Sequence, residues 1–261
     1  SEVVKEERRS RTDDDPYAFL VEALYATAFM VHPYRNPVIG WMGDLDVLSR
    51  DDAYQHYKQY YQPNNATIVI VGDFKSALLL PKVIEWFEKI PKGTEVNQRA
   101  ATEPPQKGVR RITIKREAQL PFIFMGFHAP NYKHPDTYAL SALSQILSAG
   151  KSSRLYQSLI YKKQLALGAG GHYDDLTTDS DLFYFYGTHR PGIAIEAVEE
   201  ALNEEIKRLQ TEKVTALELT KARNQIEAGF VFHNDSNFAR AMQIGRAETV
   251  GAGYDYLKEY L

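Results

Sequence analysis

Leu182-Phe183-Tyr184-Phe185-Tyr186-Gly187-Thr188 reads as a strand, its alternating aromatic residues suited to a pleated surface. A second strand at about Leu165 to Tyr173 comes directly before it, and a third spans Phe122 to Phe127. Gly126 inside that third strand marks a close backbone approach. Ile112-Thr113-Ile114, alternating with charged residues, reads as a further short strand. Helical periodicity covers Asp136 to Leu147, Ser152 to Tyr161, Gly192 to Gln210, Thr215 to Phe232 and the remainder through Leu261. Strands grouped between helices, instead of alternating strictly with them, indicate an α+β fold.

Toward the N-terminus, residues 2 to about 30 carry apolar side chains at three- and four-residue steps. Asp15-Pro16 interrupts them, either as an N-cap with proline at the first helical position or as a kink in one long helix. His32-Pro33-Tyr34 and Asn36-Pro37 impose a loop. A helix starts at Ser49 or Asp51, with Ser49 as N-cap and Asp52 three residues on, and ends before Pro63. Ala66-Thr67-Ile68-Val69-Ile70-Val71, closed by Gly72-Asp73, predicts a strand buried on both faces, followed by an amphipathic helix from Lys82 to Lys89. The order of strand, glycine, turn and helix at 66–90 recurs at 183–209, a weak echo of duplication. The proline- and glycine-bearing polar stretch 93–108 is the expected linker between lobes at 1–92 and 109–261.

The 261 residues suffice for two lobes, and 44% hydrophobic content supports a substantial core. A net charge of −3 gives no reason to expect a nucleic-acid partner. No apolar run approaches the roughly 20 residues of a membrane span. The absence of cysteine excludes disulfides, thiolate metal sites and cysteine nucleophiles, and inclines the expected location slightly toward a periplasmic or exported one.

Seven histidines are present, at 32, 56, 128, 134, 172, 189 and 233, and neither H-E-x-x-H nor H-x-x-E-H occurs. A complete zinc site from this chain alone is therefore not expected. Gly150-Lys151-Ser152 lacks the first glycine of a P-loop, Gln145 standing in its place, and follows a helix; a glycine ending one helix and Ser152 or Ser153 capping the next is the plainer account. Gly168-Ala169-Gly170-Gly171 reads as a turn or bulge beside a strand, with a flexible hinge or a close backbone approach as the alternatives. Ser1-Glu2-Val3-Val4-Lys5-Glu6-Glu7-Arg8-Arg9, taken alone, has the charge spacing of a solvated helix face.

Val3 to Arg11, His32-Pro33-Tyr34, Pro63 to Thr67, Val71-Gly72-Asp73 and Gly150 to Tyr156 occur in an order that resembles the pitrilysin/insulinase family of inverted-motif zinc peptidases. The short bacterial members, similar to mitochondrial processing peptidase subunits, are the nearest in pattern. The resemblance implies two related α+β lobes, each with a mostly antiparallel sheet packed by helices, and a clamshell chamber closing on a peptide substrate. It implies Zn2+ held by two histidines of H-x-x-E-H and a glutamate matching Glu6, with Glu7 as a neighbouring or exposed acid. With the inverted motif missing, the chain is expected to be a truncated first lobe plus a second lobe, contributing one metal ligand, no catalytic residue and part of the chamber wall. Family members that grip substrate in trans resemble Leu-Arg followed by Tyr; Ile160 and Leu167 stand at those positions, so a partner half or second subunit is expected to supply the Arg/Tyr grip. A non-catalytic partner half or peptide-binding scaffold is the alternative.

Overall fold

The computed structural model describes residues 2–96, 101–117 and 120–259. In chain order they form α1 (Glu2–Arg8), a π-helical turn (Arg9–Asp13), α2 (Pro16–Ala28), α3 (Met42–Val47), α4 (Arg50–Tyr60), α5 (Ser76–Phe87), β1 (Phe122–Ala129) and α6 (Thr137–Ser148). A second π-helical turn (Tyr156–Lys162), β2 (Ala166–His172), β3 (Asp181–His189), α7 (Ile195–Thr211), α8 (Ala216–Asn234), α9 (Asn237–Thr249) and α10 (Tyr254–Glu259) follow. The chain groups into two compact units, one of Met42–Ala100 with Phe230–Leu261 and the other of Glu2–Trp41 with Ala101–Gly229.

The unit of Glu2–Trp41 and Ala101–Gly229 is a mixed helix and antiparallel-sheet structure with strand order β1-β3-β2. β3 pairs with β1 from Phe122↔Thr188 to Ala129↔Asp181 and with β2 from Ala166↔His189 to His172↔Tyr184. Successive side chains of a strand leave on opposite faces. Phe183 and Phe185 therefore enter the core with Leu147, Leu155, Leu159, Val198 and Leu202, while Tyr184 and Tyr186 turn to the face where Tyr17 of α2 meets Phe124 edge-on at 4.8 Å. Two glycines let helices come this close. A Cβ on Gly126 would lie 3.3 Å from Leu24 of α2, the close approach expected there, and one on Gly187 would lie 2.6 Å from Val198 Cγ1 of α7. Gly187→Ala is expected to lower the unfolding free energy by about 1–3 kcal/mol through overpacking. A urea titration measures it, and an unchanged midpoint would mean that Val198 rotates aside without cost.

Local chemistry explains the helix starts. Asp15 accepts hydrogen bonds from Tyr17 N and Ala18 N with Pro16 at the first helical position, so the interruption is a true N-cap. Ser49 and Asp52 form a reciprocal capping box on α4. Gly150 takes φ +71° just past the end of α6.

Several expectations are corrected. Ala66–Val71 forms no strand, and Ile68 and Ile70 are 51% and 47% exposed. β-branched residues favour an extended chain, but a strand exists through its hydrogen-bonded ladder, and the described strands all belong to the other unit. Ile112-Thr113-Ile114 is not a strand either; its neighbours Arg110 and Arg111 fix the segment by side-chain bonds to the Thr27 and Ala28 carbonyls and to Glu199. The helix expected at 82–89 begins at Ser76, because Leu78-Leu79-Leu80 extends it and it accommodates Pro81. The helix expected from Ser152 to Tyr161 is present, helical from Arg154 and π-helical over Tyr156–Lys162, but the buried Ser153 hydroxyl does not cap it. In β2 the glycines combine a bulge between Ala166 and Gly168 with a close approach, since a Cβ on Gly170 would lie 2.6 Å from Tyr186 Oη.

Candidate functional site

Glu6 projects from α1 with its side chain 71% exposed, and Arg9 Nη1 donates to its Oε2 at 2.9 Å. Glu7 is engaged by Arg11 at 2.9 Å. Arg8, two residues beyond Glu6 and so about 200° around the helix, points inward and is 4% exposed. Its Nη1 and Nη2 each donate to a Glu22 carboxylate oxygen at 2.9 Å, and Nη1 also donates to the Gly40 carbonyl at 2.7 Å. Asp13 lies 3.4 Å from Nη2, and the guanidinium carbon sits 5.8 Å from the Trp41 ring centroid. Arg8 thus ties α1 to α2, and the π-helical turn between them is closed by Asp14 N donating to Arg9 O at 2.8 Å. The charged run is therefore solvated on one side and anchored on the other. Sequence reasoning missed the anchor, because Arg8 and Arg9 are chemically identical neighbours there.

Two of the histidines, His32 and His128, are tied into the fold by hydrogen bonds, whereas His189 has both ring nitrogens buried without a hydrogen-bond partner among the described residues. His32 is buried, its Nδ1 accepting from Tyr34 N at 3.2 Å and its Nε2 lying 3.2 Å from Asp179 Oδ2. His128 Nε2 meets the Ala28 carbonyl at 3.1 Å. Among the described residues, no group of three or more His, Asp or Glu side chains is placed to hold a metal ion. Zinc needs three or four such donors, so the described residues do not fit the ion by themselves, and Glu6 would be one ligand at most. Of the two positions where a substrate grip is expected elsewhere in the family, Ile160 packs half-buried against the core and Leu167 is 52% exposed on β2.

A hollow of about 410 Å³ opens between α2, α6 and the sheet, with Tyr17, Ser148, His172, Tyr184 and Tyr186 in its wall and no Asp, Glu, Lys or Arg among its lining residues. Ser148 Oγ accepts from Gly171 N at 2.6 Å there, satisfying an amide on the outer edge of β2. No helix of the described residues is long and apolar enough to cross a membrane.

Two carboxyl groups are held far below their ordinary value. Arg154 donates to both oxygens of Glu218 at 2.6 and 2.9 Å, and Thr215 donates from its amide and hydroxyl. These bonds, the Arg154 pair foremost, outweigh burial and lower Glu218 from 4.5 to about 2. At Glu103, burial raises the pKa, and amide donors from Met30, Val31 and His32 lower it by more, to about 2. Both groups bind the proton more weakly folded than unfolded, so their stabilisation is fully present above about pH 4.5 and is lost as pH falls toward about 2. The urea midpoint is expected to fall through that window, and to fall less in Glu218→Gln; an equal fall in both proteins would remove Glu218 as a cause.

A family model described as the peptidase M16 inactive domain matches residues 48–226. The zinc protease PqqE of Helicobacter pylori is 33% identical over 239 residues, covering 90% of this chain and 54% of that protein. An uncharacterized zinc protease of Mycobacterium leprae is 26% identical over 254 residues, covering 95% of this chain and 55% of that protein. The chain thus spans about half the length of these curated relatives. The crystal structure of a protease from Helicobacter pylori superposes with a TM-score of 0.90 at 32% identity, covering 99% of this chain and 62% of that one. A peptidase M16 inactive domain from Pseudomonas fluorescens superposes at 0.83 with 16% identity over 100% of this chain and 63% of that one, a likeness of fold alone. With its motifs in order and the family model matching more than half of its length, the chain belongs to the peptidase M16 family, whose relatives named here are zinc proteases.

Proposed function

We propose that this chain is one part of a zinc metalloendopeptidase that hydrolyses peptides in a clamshell chamber, to which it contributes Glu6 as one zinc ligand and a stretch of chamber wall. The observation that carries the reading is the geometry of Glu6 in a chain of this family. Its carboxylate is exposed on a helix whose opposite side is locked by Arg8, and it is engaged by the half-exposed Arg9. Such a carboxylate can exchange an arginine for a cation without unfolding anything. One carboxylate does not hold zinc, so the chain alone is inactive, and no step of hydrolysis is assigned to its side chains. Lobes at 1–92 and 109–261, a partner half supplying the Arg/Tyr grip in place of Ile160 and Leu167, and a periplasmic or exported setting belong to the same proposal.

The test is peptide cleavage with added zinc by this chain, alone and together with the polypeptide that completes the length of its relatives. Zinc-dependent turnover appearing only in the combination is expected. Turnover by the chain alone would overturn the proposal. In the complete protein Glu6→Gln is expected to abolish zinc retention, measured by metal analysis, and Glu7→Gln to keep it; the reverse pattern would move the ligand to Glu7.

A second reading is favoured by the description of the matching family model as an inactive domain: a non-catalytic partner half or peptide-binding scaffold. Reading the gene upstream of Glu6 separates the two, since H-x-x-E-H there belongs to the enzyme and its absence to the scaffold.

A further inference from the structure

Three consecutive backbone N–H groups just after α2 converge on one carboxylate. Met30 N donates to Glu103 Oε1 at 2.7 Å, and Val31 N and His32 N each donate to Oε2 at 3.0 Å. Successive amides aimed at a single point make a concave anion site. The turn is held from behind. Phe29 is 1% exposed, and His32 is fixed through both ring nitrogens, by Tyr34 N and Asp179. Cationic side chains gather at its carbonyls: Arg35 donates to Met30 O, and Arg110 donates to Thr27 O and Ala28 O at 2.9 and 2.8 Å. Met30 and Val31 leave their apolar side chains 54% and 50% exposed around the site.

The occupant arrives from more than 70 residues away, on a stretch with no helix or strand from 101 to 117 and just ahead of Pro104-Pro105. The receptor is therefore built by the α2 end and the His32 loop, and Glu103 reaches it on an exposed strap.

We propose that the Met30–His32 turn is a carboxylate receptor filled internally by Glu103, and that the C-terminal carboxylate of a peptide is the external ligand that takes its place. Both oxygens of a carboxylate are satisfied by these three donors, and the exposed Met30 and Val31 can cover the apolar side chain beside a peptide terminus. A tethered competitor acts at high effective concentration, so external binding is weak while Glu103 is present and strengthens when it is removed. The peptide as ligand rests on the peptidase reading; the receptor chemistry does not.

Glu103→Ala, in the full chain, is followed by amide NMR at Met30, Val31 and His32 during titration with acetate at constant ionic strength, with chloride as control. A short apolar peptide is then added with a free or an amidated C-terminus. Saturable shifts with acetate and the free-acid peptide, about tenfold or more tighter than in the unsubstituted chain, are expected, together with a rise in Tm on adding acetate. Absence of carboxylate-specific shifts in the folded variant would overturn the receptor. Acetate binding with equal response to the two peptides would overturn the peptide terminus as ligand, whereas failure of zinc-dependent cleavage would leave the acetate result untouched. Should Glu103→Ala not fold, Glu103→Gln retains one acceptor oxygen without the charge and serves the same titration.

Discussion

Arg8→Ala lowers the unfolding free energy by about 3–5 kcal/mol, the cost of breaking a buried ion pair from one side. The loss falls mainly on Glu22. Its side chain is 8% exposed, and both of its carboxylate oxygens are bonded by Arg8. Removing the guanidinium leaves a carboxylate with little water and without its two-bond partner, and it also removes the donor to the Gly40 carbonyl. Replacing both partners by apolar residues of similar volume, as in Arg8→Met with Glu22→Leu, is expected to restore most of the stability, because such a pair gains little over a packed hydrophobic substitute. Urea titrations of the two single variants and the double variant form the cycle. Equal losses that simply add would show that Arg8 and Glu22 do not act together. Hydrogen exchange at α1 carries the functional part of the result: if Arg8 is what holds Glu6 in place, amides of residues 5–8 lose protection in Arg8→Ala and regain it in the double variant.

That pair also shows where the sequence is readable and where it stops. Local rules name the cap of α4, since Ser49 and Asp52 carry their partners within three residues, and they narrow Asp15-Pro16 to a cap or a kink, which the bonds from Tyr17 N and Ala18 N resolve as a cap. Strand β3 is legible because its aromatics alternate, and its grouping with β2 is enough for the fold class. The family resemblance singles out Glu6 only as the proposed zinc ligand. By contrast, Arg8 differs from Arg9 only by 100° of helix rotation, and its partner is 14 residues away on another helix. Glu103 looks like any acid in a polar stretch, and its three donors are backbone groups, which leave no mark in composition. Ala66–Val71 fails for the complementary reason: its side chains specify an extended chain, but the ladder that would make it a strand must come from a neighbour.

Phe29→Ala is expected to cost about 3–5 kcal/mol, the range for emptying a buried aromatic site. Phe29 is 1% exposed and is ringed by other aromatics, edge-on to His128 at 5.0 Å and to Tyr34 at 5.8 Å, stacked on Tyr25 at 6.0 Å and tilted against His32 at 5.6 Å. None of these rings can close the gap alone, because His32 and His128 are also tied to Asp179 and to the Ala28 carbonyl. Phe29→Leu keeps much of the volume and is expected to cost less than half as much. The backbone of Phe29 leads directly into Met30, Val31 and His32, so the two variants also separate packing from turn geometry. Hydrogen exchange at those three amides decides it: protection retained in Phe29→Leu and lost in Phe29→Ala means that the ring itself holds the anion-binding turn in shape, and protection retained in both means that His32 and Glu103 suffice.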